Sequence, residues 1–305
     1  MHSGILYAAL AYLLWGLFPL YFRQLAAVPA TEVLVHRIVW SLLFVLMVMT
    51  LRRQWAWLVP VLRRPRVLGA FASSALLLST NWLTYIWSVG HGHVVDASLG
   101  YFITPLVNVL LGYTVLNERP RPAQWTALAL ATAGVLWLTV QSGQLPWIAL
   151  VLAGSFGSYG LLRKVAVLGA LEGLTLETLL LAPAALIALL LWMARGSGSF
   201  PAPDLATNLW LIGVGPLTAV PLLLFAAGAR RISMTTLGLL QYLGPTIQFL
   251  LGVWLFNEPF TTARGVGFGF IWLGLIAYSA DGWRVARQRA VTTSDRQPDS
   301  PASPA

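Results

Sequence analysis

The chain contains no cysteine. Disulfide bonds and thiolate metal sites are therefore excluded. Charge is scarce as well: 10% of the 305 residues are Asp, Glu, Lys or Arg, against about 25% in soluble domains. Acidic groups are the rarer kind, 10 against 19 Lys and Arg, leaving a formal net charge of +9. The four histidines (His2, His36, His91 and His93) make no metal-ligand set with their neighbours. A G-x-x-x-x-G-K-[ST] phosphate loop is missing, which argues against ATP-driven chemistry by this chain. No hydrolase constellation is present either. The sequence reads as neither enzyme nor metalloprotein, and it calls for no cofactor.

What the chain has in quantity is apolar side chains: 58% of residues, with a mean hydropathy of +0.75. Apolar runs near the ~20 residues that cross a bilayer recur throughout. Ten spans are predicted, at 4–23, 31–51, 68–90, 97–117, 122–141, 146–162, 174–194, 208–229, 236–256 and 265–283. The first is followed by AAVPA, which resembles a cleavage site. Its start lacks Lys and Arg and its apolar run exceeds a signal core, so a retained helix is expected. The fold class is an all-α membrane protein.

The fourth and ninth spans repeat each other. Residues 97–118 read ASLGYFITPLVNVLLGYTVLNE and residues 237–258 read LGLLQYLGPTIQFLLGVWLFNE. At an offset of 140, Leu99/Leu239, Pro105/Pro245, Gly112/Gly252, Asn117/Asn257 and Glu118/Glu258 coincide, as do Gly134/Gly274 farther on. Gly16 falls near Gly157 in the same register. The ten helices are therefore expected as two five-helix repeats, 1–141 and 146–283, followed at 284–305 by a basic, disordered tail that opens with a helix end. Placing the N-terminus inside puts fifteen of the Lys and Arg residues in inner segments and three (Arg23, Arg195, Arg264) outside, with Arg37 within a span. That asymmetry predicts cytoplasmic termini. It also makes topology, rather than nucleic acid, the reason for the positive charge. Five spans per half is odd, so the repeats are inverted, and inverted repeats place a substrate where they meet, near the midplane.

Polar groups inside a membrane tend to face a cavity or a partner. The second span opens with Thr31, Glu32, His36 and Arg37. Glu32 and His36 share a face, and Arg37 is an anion-binding candidate unless it pins a neighbouring helix. In the third span Asn81, Trp82 and Tyr85 combine donors and acceptors with flat walls, the makeup of a small-molecule pocket. The alternative for Asn81 is interhelical bonding, and Trp87 reads as an interface anchor. Tyr101, Thr104 and Asn108 align with Gln241, Gly244 and Gln248, and Phe102 with Tyr242. These form two polar stripes, lining a cavity or gluing helices. Pro105 and Pro245 each remove a backbone donor and are hinge or kink positions. Glu118 and Glu258 read as solvated helix ends, and Asp96 as a proton-coupling candidate in an outer loop. Gly265 and Gly269, with Gly267 and Gly274 nearby, suit close packing of the tenth span, or a dimer face.

Several stretches together resemble a known family: WGLFPLYF at 15–22, EVLVHRIVWS at 32–41, NWLTYIWSV at 81–89, ASLGYFITPLVNVLLG at 97–112, SFGSYGLLRK at 155–164, LTAVPLLLFA at 217–226 and TLGLLQYLGPTIQFLLG at 236–252. In order, they resemble the EamA-type drug/metabolite transporters, and within them the RarD-like permeases. The endings LNE at 116–118 and FNE at 256–258 match more loosely. The resemblance implies a bacterial inner-membrane permease with two inverted five-helix repeats around a central cavity. It matches at His36, Arg37, Asn81, Trp82, Tyr85, Tyr101, Asn108, Gln241 and Tyr242. RarD-like proteins carry a chloramphenicol-sensitivity label, which implies export of drugs or metabolites without naming a substrate. The expected function is a secondary transporter of a small organic molecule working by alternating access. The alternative is a passive channel or lipid-handling protein. Expected partners are a small-molecule substrate and membrane lipid, not nucleic acid, with a homodimer left open.

Overall fold

The computed structural model describes residues 2–117, 119–164, 166–229, 231–232 and 240–294. Among them every regular element is helical. In order these are α1 (His2–Gly16), α2 (Phe18–Arg23), α3 (Ala30–Leu51), α4 (Leu58–Leu62), α5 (Pro65–Gly90), α6 (Val94–Leu116), α7 (Pro122–Ser142), α8 (Trp147–Lys164), α9 (Ala170–Arg195), α10 (Leu205–Ala229), α11 (Leu243–Leu250) and α12 (Thr262–Ser294). A single π turn, Leu251–Leu255, extends α11. Eight helical segments are long and apolar enough to cross a membrane, and Trp147–Arg163 and Leu243–Leu255 are shorter apolar helices. This is an all-α membrane protein. Helix is the form such a chain must take, because hydrocarbon offers the backbone no hydrogen-bond partner.

Local chemistry sets the ends. Asn117 (φ 52°) and Asn257 (φ 54°), partners at the 140-residue offset, both adopt the left-handed conformation and close the fourth and ninth spans. Pro122 opens α7, where the Arg121 N–H donates to Gln124 Oε1 at 2.8 Å. The first span is not one helix. It breaks at Leu17, and Pro19 has no N–H for the Trp15 carbonyl four residues back. Gln248 on α11 takes that carbonyl instead, donating from Nε2 at 3.0 Å.

Two expectations change. Gln241 and Tyr242 lie in a turn before α11, so Gln241 and Gln248 do not share one continuous helical face. Pro245 therefore falls in the first turn of α11, where no backbone donor is missed. Of the two repeat-related prolines, Pro105 is the one inside a helix. The basic helix end expected after the tenth span runs to Ser294, while the stretch apolar enough to cross a membrane ends at Val285. Glu118 and residues 233–239 lie outside the described residues.

The helices pair with a regularity the primary structure hints at. Let α1–α2 be the first span, α3 the second, α5 to α10 the third to eighth, α11 with its π turn the ninth, and α12 the tenth. The fourth packs on the sixth, as the ninth does on the first; the second on the eighth, as the seventh on the third; the first on the eighth, as the sixth on the third. Second and seventh, fourth and ninth, fifth and tenth also meet. The glycine contacts follow the same register. A Cβ at Gly157 would meet Val107 at 2.7 Å, and one at Gly16 would meet Ile247 at 2.9 Å. One at Gly134 would lie 2.7 Å from the Gly267 carbonyl oxygen, and one at Gly274 2.8 Å from that of Ala127. Gly267 and Gly274 thus form the close face of α12, against α7. Gly269 meets nothing within 4 Å and Gly265 only Phe260.

Candidate functional site

Arg37 sits seven residues into α3, about 10 Å along its axis. It is 4% exposed. Its Nε donates to Thr218 Oγ1 on α10 at 2.9 Å. That hydroxyl donates in turn to the Val214 carbonyl at 2.8 Å, leaving its lone pairs for the guanidinium. The guanidinium carbon lies 4.0 Å from the Trp82 ring centroid, with Phe22 at 5.6 Å and Phe18 at 5.8 Å. A cation on an aromatic face in a desolvated site gains about 2 kcal/mol. No carboxylate lies within ion-pair distance of Arg37 among the described residues. Its terminal nitrogens have no hydrogen-bond acceptor there either. The structure thus holds a membrane-buried cation without a countercharge, which is costly unless something pairs with it.

The neighbours supply further unspent polar atoms. Tyr85 is buried, its hydroxyl has no hydrogen-bond partner, and it lies close enough to Arg37 to interact electrostatically, as does Tyr101. His36 is buried beside Arg37 on α3. Its Nδ1 accepts from Trp40 Nε1 at 3.0 Å, so Nε2 carries the proton of the neutral ring and finds no partner. Asn81 is different, because its groups are all used. Nδ2 donates to the Leu152 carbonyl and to Ser155 Oγ, both at 3.1 Å, and Oδ1 accepts from Tyr101 at 3.2 Å. It ties α5 to α8 and α6.

The second-half residues do not all gather here. Tyr242 packs in a separate cluster with Phe249 and Trp272 around α12. Gln241 is half-buried in the turn beside it. Asn108 is exposed although α6 is the most enclosed of the long helices. It faces Gly157 and Gly160 of α8. From Tyr85 a row of rings runs along that face: Tyr101 at 5.8 Å, then Phe156 at 6.0 Å, then Tyr159 at 5.9 Å.

Residues 2–140 match the EamA-like transporter family. An uncharacterised transporter of Pseudomonas aeruginosa is 45% identical over 288 residues, spanning 94% of this chain and 97% of its own. The RarD protein of Escherichia coli is 43% identical over 279 residues, spanning 92% and 94%. The chain belongs to the EamA-like transporter family. Within it the chain is RarD-like, and it is a multi-pass membrane transporter. A P. aeruginosa protein named chloramphenicol-sensitive RarD is 33% identical over 298 residues, spanning 94% and 97%. One solved crystal structure aligns over 93% of this chain and 99% of its own with a TM-score of 0.59 at 20% identity, a likeness of fold alone.

In this EamA-like transporter two acidic side chains, Glu32 and Glu258, bind backbone N–H groups of other segments. Glu32 accepts from the Ser199 N–H at 2.6 Å and Ser199 Oγ at 3.0 Å, rather than from His36. This holds Phe200 against the His36 ring, 5.0 Å between centroids. Glu258 is not a solvated helix end. It is buried, and its two oxygens accept from the N–H groups of Val94 (2.6 Å) and Val95 (2.8 Å) at the start of α6. Burial holds its carboxyl above the ordinary value, against the pull of those two donors. Asp96 is shared between His93 at 3.1 Å and Arg264 at 3.6 Å. Trp87 stacks on His91, 4.3 Å between centroids.

Sequence reasoning passed over Glu177 on α9, which is 0% exposed. Ser74 donates to its Oε1, and the Tyr159 hydroxyl lies 3.5 Å from Oε2. The signal was available, since 177 is 37 plus 140: Glu177 stands where the second repeat would carry Arg37.

Proposed function

We propose that the protein is a secondary permease moving a small organic molecule that carries a carboxylate or comparable anionic group. The observation that carries this reading is Arg37, a buried cation with free terminal nitrogens and no acidic partner among the described residues. Trp82 and Tyr85 wall the site, the Tyr85 hydroxyl and His36 Nε2 are the neutral polar groups beside it, and Tyr101 and Asn108 line the way out. Asn81 acts through Tyr101, which it orients. Gln241 and Tyr242 belong to the moving frame rather than to the pocket.

The transporter works by alternating access between two inverted repeats, 1–141 and 146–283. The paired helix contacts and paired glycine contacts at the 140-residue offset support that reading. With the Glu32–Ser199 and Glu258–α6 latches formed, the structure fits a state closed on the outer side, with Pro105 the interior hinge. The aromatic closure around Phe200 does not fit an open channel. The positive charge of the inner segments supports residence in the bacterial inner membrane with both termini cytoplasmic. The name of the chloramphenicol-sensitive relative supports drugs or metabolites as cargo and export as the direction. Gly267 and Gly274 are taken up by α7, whereas Gly265 and Gly269 meet no neighbouring helix, so a homodimer through α12 would use those two.

The test is a thermal-shift screen of the purified protein with amino acids, organic acids and amphenicols, followed by flux in proteoliposomes. A ligand at 100 times its Kd adds about 2.7 kcal/mol to the folded state. A carboxylate that raises the melting temperature and shows saturable flux supports the reading. Flux that never saturates for any anion that binds would overturn it in favour of a channel.

A further inference from the structure

Glu177 is a second uncompensated charge that the substrate site does not use. It lies seven residues into α9, about 10 Å along the helix axis. Among the described residues α5 presents Ser74 to it and α8 presents Tyr159 and Arg163, while α3 and α10, which also pack on α9, bring no titratable group that acts on it. Arg163 is the cation that acts on it among the described residues, yet no ion pair forms between them there. Instead Arg163 Nη2 donates to the Gly169 carbonyl at 2.7 Å, its Nη1 is buried without a partner, and its guanidinium lies against Gly173. A cavity of about 170 Å³ opens beside the cluster, lined by Arg66, Ala70, Phe71, Ser74 and Arg163 among others. Ser74 is common to the cavity and to the carboxylate.

A buried carboxylate held only by hydroxyl groups loses its charge most simply by taking a proton. We infer that Glu177 is the proton-binding coupling site of this transporter, loaded from the cavity at Ser74 and Arg163. The inference rests on the transporter reading above and adds the ion that drives it. In the protonated form Glu177 is neutral and Arg163 stays on the Gly169 carbonyl, as seen here. When the proton leaves to water in the cavity, the carboxylate becomes the better acceptor for the free Nη1 of Arg163. The guanidinium is drawn off Gly169, and the connection between α8 and α9 is released. Two discrete partners for one arginine make a bistable element of the kind a proton can bias. The row Tyr159–Phe156–Tyr101–Tyr85 joins Glu177 to the Arg37 site through contiguous rings. One repeat thus contributes the cation for the cargo, and the other, at the equivalent position, the anion for the proton.

Two measurements on the full-length protein test this without any cargo. Infrared difference spectra across a pH titration report the protonated-carboxyl stretch. Among the carboxyl bands, one component is expected in the parent protein, absent in Glu177→Gln and kept in Glu258→Gln. Because the chain has no cysteine, Ala70→Cys places a single thiol on the cavity wall. Its maleimide labelling rate, divided by that of a free thiol at the same pH to remove the thiol's own titration, is expected to change about tenfold between acid and alkaline buffer, and to be flat once Glu177→Gln is added. Ser74→Ala, a milder change, shifts the midpoint of both signals. Carboxyl bands unchanged by Glu177→Gln, or a normalised labelling rate that still follows pH in that variant, overturn the inference. So does a band lost without any change in labelling, since a proton would then bind without governing shape. If Glu177→Gln does not fold, an unmoved midpoint in Ser74→Ala and Glu177→Asp overturns it equally. A thermal-shift ligand together with a pH-blind protein would sink the proton site alone. A titrating Glu177 with no anionic ligand would sink the substrate reading alone.

Discussion

Arg37→Met should separate stability from binding. The substitution removes the Thr218 hydrogen bond and the Trp82 contact, the latter about 2 kcal/mol. It leaves no orphan behind, because the Thr218 hydroxyl keeps its bond to the Val214 carbonyl. It also removes the desolvation penalty of an unpaired buried charge, several kcal/mol, and Met fills the space flexibly. These terms roughly cancel, so the melting temperature of the ligand-free protein should hold steady or rise. Binding of an anionic cargo should behave in the opposite way. A hydrogen bond to a charged group contributes about 1.5–3 kcal/mol, which is about 10- to 150-fold in Kd. Arg37→Lys keeps the charge but loses the planar stack on Trp82, and should fall between. The assay is a melting curve with and without the ligand found in the screen, alongside equilibrium binding in detergent. Unchanged affinity in a folded Arg37→Met protein would refute the substrate role. A marked loss of stability with affinity per folded molecule intact would instead make Arg37 a structural clamp.

Other consequences can be checked with the same preparation. The buried Glu258 carboxyl takes up its proton at higher pH in the folded protein than the ordinary value of 4.5. That contribution to stability is full below the unfolded value and is lost as pH rises through the folded one. Melting of the parent relative to Glu258→Gln should therefore improve as pH falls through the window just above 4.5, and a slope of the opposite sign would be fatal to the argument. Gly134→Val and Gly274→Val should each cost about 1–3 kcal/mol by overpacking the α7–α12 contact. Gly269→Ala, with nothing within 4 Å, should be tolerated, and melting temperatures distinguish the two classes. Asn81→Leu breaks three bonds among α5, α6 and α8. At about 0.6 kcal/mol for an interhelical bond in a membrane protein, it should destabilise by roughly 2 kcal/mol, and a neutral result would show those bonds are not needed for packing.

The sequence alone was enough to establish a helical membrane protein and the recurrence of residues at a 140-residue offset within it. Length and hydropathy leave a lipid-embedded backbone few other choices, and recurrence at one offset needs no coordinates to be seen. Asn117 with Asn257 and Gly134 with Gly274 take up equivalent roles in the structure because a repeated residue meets a repeated geometry. Arg37 was visible too, since a guanidinium deep in an apolar run stands out. Partners were not visible. Whether Asn81 is free or spent depends on Leu152, Ser155 and Tyr101 arriving from other helices. Pro245 reads as a helix-breaker in a string and proves to be the opening turn of one. Glu258 reads as a solvated helix end, and Glu177 drew no reading at all. Only the tertiary structure folds the first onto the start of α6 and encloses the second between Ser74 and Tyr159. Hydropathy is a property of one segment, whereas burial, countercharge and hydrogen-bond satisfaction belong to pairs of segments that only the packed bundle brings together.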